Sequence, residues 1–67
     1  MTHIETSLTT VRLSLTAAKS GLKDVDEEMY RINQDKNARL TFEQKQAVKD
    51  ELNVMKSLIK SIETYVE

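Results

Sequence analysis

The apolar residues Ile4, Leu8, Val11, Leu15, Ala18, Leu22, Val25, Met29 and Ile32 recur at alternating spacings of four and three. That rhythm sets them on one narrow stripe of an α-helix. A second stripe, Val48, Leu52, Met55, Ile59, Ile62 and Val66, repeats it toward the C-terminus. Around Val11, Leu13 and Leu15, with Thr9, Thr10 and Thr16 nearby, a short strand is the competing reading. The four-three stripe runs through that segment and far past the length of ordinary strands, so helix prevails. The sequence has no Pro and a single Gly, and so lacks the turn residues that a sheet needs at short intervals. The expected fold class is all-α.

The 67 residues allow one domain, spanning 1–67. Thr2 is a candidate N-cap with Glu5 at capping-box spacing, so the first helix is expected over about 3–33. Asn33 or Asn37 would supply the left-handed residue that ends it. Gly21 inside this helix costs about 1 kcal/mol relative to Ala. Leu22 and Val25 nevertheless keep the register of Leu15 and Ala18, which predicts one continuous helix. Residues 34–41 carry no apolar period and form the connector. Thr41-Phe42-Glu43-Gln44 then reads as a capping box that opens a second helix over about 42–66. Lys45 takes the next stripe seat toward the loop, where its charge can snorkel to water.

Two stripes joined by a short connector predict an antiparallel, coiled-coil-like two-helix hairpin. Its layers would pair Met29 with Val48, Val25 with Leu52, Leu22 with Met55, Ala18 with Ile59, Leu15 with Ile62 and Val11 with Val66. Beside the seam, Ser7, Ser14 and Gly21 would face the bulkier Leu58 and Tyr65. The other flank would pair Asp26 with Lys49 and Arg12 with Glu63, but also Lys19 with Lys56. A remainder is left over. Ile4 and Leu8 extend past the end of the second helix, Leu13, Tyr30, Phe42 and Val54 lie off the stripe, and two helices alone leave a seam open on its sides. A homodimer in which two hairpins build a four-helix bundle is the expected answer.

Several function classes are disfavoured. There is no Cys, and the single His3 cannot build a structural zinc site without several converging carboxylates, so no metal or other cofactor is expected. Ten basic residues against eleven acidic ones, a formal net charge of −1, give no bulk attraction to phosphate or anionic lipid. No window approaches the continuous apolar run of a membrane span, and the start lacks the features of a signal peptide. The expectation is a cytoplasmic chain, complete as given, without a membrane partner. Neither a Glu-x-x-His pair, a Gly-rich phosphate loop nor a Ser-His pairing is present, so no catalytic residue is assigned. The run Asp24, Asp26, Glu27 and Glu28 spreads around the helix axis, as a solvated face does.

Two candidate surfaces remain. Ile4, Leu8 and Leu13, with the aromatic pair Tyr30 and Phe42, form the expected dimer or partner interface, aromatic side chains being favoured at binding hot spots. For Tyr30 and Phe42, closing the bundle end over the loop is the preferred alternative to anchoring a partner. Arg31, Lys36 and Arg39 form a small basic tip that could hold phosphate, diluted by Asp35; nucleic acid is the disfavoured partner. In length, charge balance and two-helix layout the chain resembles the small helical accessory proteins that lambdoid and other temperate phages make early in infection. That resemblance, one of format, implies a non-enzymatic protein that contacts a host or phage factor and biases development. The leading expectation is a dimeric regulatory or adaptor protein acting on an unidentified protein partner. The alternative is a nucleic-acid-binding dimer that uses its basic tips.

Overall fold

The computed structural model describes residues 3–67, and among them the chain is all-α, with two helices and no strand. Helix α1 runs His3–Gln34 and α2 runs Phe42–Glu63. The proposed cap at Thr2 lies outside the described residues.

Local chemistry accounts for each boundary. Thr9, Thr10 and Thr16 turn their hydroxyls onto the carbonyls of Glu5, Thr6 and Arg12, at 3.1, 3.3 and 2.9 Å. This back-bonding satisfies the hydroxyls within the helix, and the apolar stripe that runs through the Thr-rich segment keeps it helical. Gly21 interrupts nothing, since α1 passes through it without a break and its φ is not positive. At the C-terminal end of α1 the Asp35 amide donates to the carbonyls of Arg31 and Ile32, both at 3.2 Å. The Asp35 carboxylate then accepts from the Asn37 amide at 2.9 Å while its carbonyl accepts from the Ala38 amide at 3.2 Å, an Asx-turn within a β-turn. This corrects the expected left-handed stop at Asn33 or Asn37, because no described residue has a positive φ. The aspartate side chain makes the turn that a left-handed residue would otherwise make.

Helix α2 opens as the sequence predicts. The Thr41 hydroxyl accepts from the Gln44 amide at 3.1 Å, and the Gln44 side chain accepts from the Thr41 amide at 2.9 Å, completing the capping box. Its far end falls short of the expected residue 66. Past Glu63 the amides of Tyr65 and Val66 reach Ile62 and Glu63, three residues back, so the last turn tightens out of α geometry.

The molecule measures 55 × 19 × 16 Å. Helices of these lengths end to end would exceed about 80 Å, so the chain bends at the connector. The two do not close on each other: among the described residues no Cα atoms twelve or more residues apart lie within 8 Å. The flanking pairs Asp26 with Lys49 and Arg12 with Glu63 do not form either. An ion pair joins Arg31 and Glu28, one turn apart in α1. A gap of that width between backbones leaves long side chains nothing to hold them together across an exposed flank.

Candidate functional site

No described residue is fully buried. Partial cover is confined to Leu22, Met29, Ile32, Ala38, Leu40, Val48 and Met55, all in the half of the molecule next to the connector. Toward the free ends the stripe residues are wet: Leu8 is 54% exposed, Leu15 50%, Ile59 49% and Val66 78%. Seam and free surface are therefore one continuous apolar face.

Along that face the helices share open grooves. Nearest the free ends, a groove of ≈ 560 Å³ is lined by Leu8, Val11, Leu15, Ile62, Tyr65 and Val66. Further in, Leu15, Ala18 and Leu22 share one of ≈ 330 Å³ with Met55, Ile59 and Ile62. Beside the connector half, Leu22 and Val25 share a third with Val48, Leu52 and Met55. The grouping of residues follows the layers written from the sequence, while the space between them stays unfilled.

The candidate interface residues are all exposed: Ile4 69%, Leu13 66%, Tyr30 64% and Phe42 80%. Leu8 alone among the five lines the terminal groove. Within the single chain both Tyr30 and Phe42 are open to solvent. Tyr30 follows the stripe residue Met29 by one position, off the stripe, and Phe42 is the first residue of α2 after the Thr41 cap. The half-covered residues at that end are Ala38 and Leu40 of the connector, together with Ile32. Reading the connector as merely polar missed them. The signal was Leu40 itself, at the position before the N-cap where a hydrophobic staple sits, with the Lys45 stem at the matching seat.

The basic tip is only partly assembled. Lys36 and Arg39 line a shallow depression of ≈ 280 Å³ with Asp35, and Lys45 joins them from α2. Arg31 is not part of it, being engaged by Glu28. Lys45, assigned from sequence to the seam, is thus the third cation of the tip. The acids Asp24, Asp26, Glu27 and Glu28 are exposed, and no group of three His, Asp or Glu side chains stands ready for a metal ion among the described residues. No described helix is long and apolar enough to cross a membrane. Comparison with protein-family models, with curated proteins and with solved structures finds no match to this chain.

Proposed function

We propose that this chain works as a non-enzymatic regulatory or adaptor protein of the cytoplasm, an antiparallel hairpin completed by a second copy into a four-helix bundle. The observation that carries this reading is the surface. The chain exposes 6539 Å², whereas a compact monomer of 7.7 kDa exposes about 4300 Å². Part of the excess of about 2200 Å² comes from the elongated shape, yet its apolar stripe is what a helical pair has to cover to be stable. Stable dimers bury about 800 Å² or more on each partner, well within what is on offer. In the dimer Leu13, Tyr30 and Phe42 stay outside and offer a protein partner rigid apolar anchors. The format shared with small early proteins of temperate phages fits a protein that biases development by such contact.

The test has two parts. Sedimentation of the purified chain reports a dimer. Capture from host extract with the wild-type chain and with the Tyr30→Ala/Phe42→Ala variant then separates specific partners from background: a protein held by the first and lost by the second supports the adaptor reading, and identical capture contradicts it. The depression that gathers Lys36, Arg39 and Lys45 favours a second reading, a dimer that binds nucleic acid through its tips. Gel-shift titration at two salt concentrations decides that one. Binding that weakens steeply with salt supports it, and no binding at low salt removes it.

A further inference from the structure

Resting on the dimer reading, we infer that the second copy covers the free-end halves only, with the two α1 helices antiparallel and the connector tips pointing away from each other at opposite ends of a rod. Two independent observations converge on that half. Cover is thinnest there: the stripe residues half shielded within one chain lie at Leu22 or nearer the connector, where Val25 alone of the α1 stripe is exposed, while Ile4 and Leu8 at the free end are 69% and 54% exposed. Charge is missing as well. From Thr6 to Leu22 the charged residues are Arg12 and Lys19 alone, set among Ser, Thr and Ala, whereas residues 23–31 hold Lys23, Asp24, Asp26, Glu27, Glu28 and Arg31. Depletion of charge marks the core of an interface, and small side chains let helices approach closely.

The stripe's spacing then restricts the register. Antiparallel α1 helices put apolar seats opposite one another only at shifts of whole heptads. One such shift pairs Ile4 with the partner copy's seat for Leu22, Leu8 with that for Ala18, and Val11 with that for Leu15. It sets Glu5 against Gly21, Arg12 against Ser14 and Lys19 against Ser7, so no like charges meet. The copy's α2 then runs beside residues 4–15 and covers Ile4 and Leu8. Sliding one heptad further into full overlap would set Glu5 against Glu28 and bring the acid run over the other copy's first turns. A parallel dimer would gather the exposed Ile4 and Leu8 of both copies at one end, with no α2 of the other copy laid across them.

The chain has no Cys, so a single spin label can be placed on Lys36→Cys, an exposed connector position, without other changes. Pulsed dipolar spectroscopy on the dimer is expected to give a label separation of about 70 Å, from the helical rise measured out from a two-fold axis near residue 13. A separation of about 58 Å would mean full overlap and one under about 30 Å would mean tips together; either overturns the inference. Sedimentation of the unlabelled chain keeps the two levels apart. A monomer removes the dimer itself, whereas a dimer with either shorter distance removes only this register.

Discussion

The two halves of this molecule carry the same stripe and meet different fates. Next to the connector, Met29, Ile32 and Val48 gain partial cover, because the Asx-turn at Asp35 and the Thr41 capping box hold the helix ends in place beside the half-covered Leu40. Toward the free ends Leu8, Leu15, Ile62 and Val66 repeat the spacing with no such anchor and remain exposed. Periodicity therefore specifies which side of a helix is apolar, and covalent proximity decides how much of that side one chain can cover. The remainder is a demand for a second surface.

The contrast can be broken most forcefully in the open half. Leu15→Asp puts a carboxylate into the shared core of the dimer, and the dimer dissociation constant is expected to rise at least a hundredfold, about 3 kcal/mol, in sedimentation. A dimer of unchanged affinity would place the interface elsewhere. Next comes a comparison of truncations. Exposure within one chain makes Ile32 the costlier residue to shorten, but a partner copy over the open half reverses the order. Leu8→Ala should cost about 2–3 kcal/mol per site in denaturant unfolding and Ile32→Ala only about 1–2 kcal/mol. The opposite ranking would favour an isolated hairpin.

Smaller effects sharpen the connector side. Thr41→Ala removes the capping box and should lower stability by about 1 kcal/mol, with faster amide exchange at Gln44. The double variant Tyr30→Ala/Phe42→Ala should change thermal stability least, by under about 0.5 kcal/mol, because both rings are already in water.

Much of this was legible in the residues, and the failures have physical causes. Both helices follow from the spacing of the stripe, and the start of α2 from Thr41 and Gln44, since caps and periodicity are local and each residue carries its own signal. The stop of α1 was misread because Asp35, Asn33 and Asn37 can all end a helix, and composition does not say which of them makes the turn. The cross-helix ion pairs failed for a different reason. Layers read from heptad letters do not set the separation of two helices, and exposed charges across a wide gap contribute too little to draw them together.

Sedimentation equilibrium across a wide concentration range, paired with thermal melts at the same concentrations, tests most directly whether this helical pair requires a second copy. The expected result is a mass twice that of the 7.7 kDa chain and a melting temperature that climbs with concentration. A 7.7 kDa species that unfolds cooperatively at one temperature whatever its concentration would contradict it.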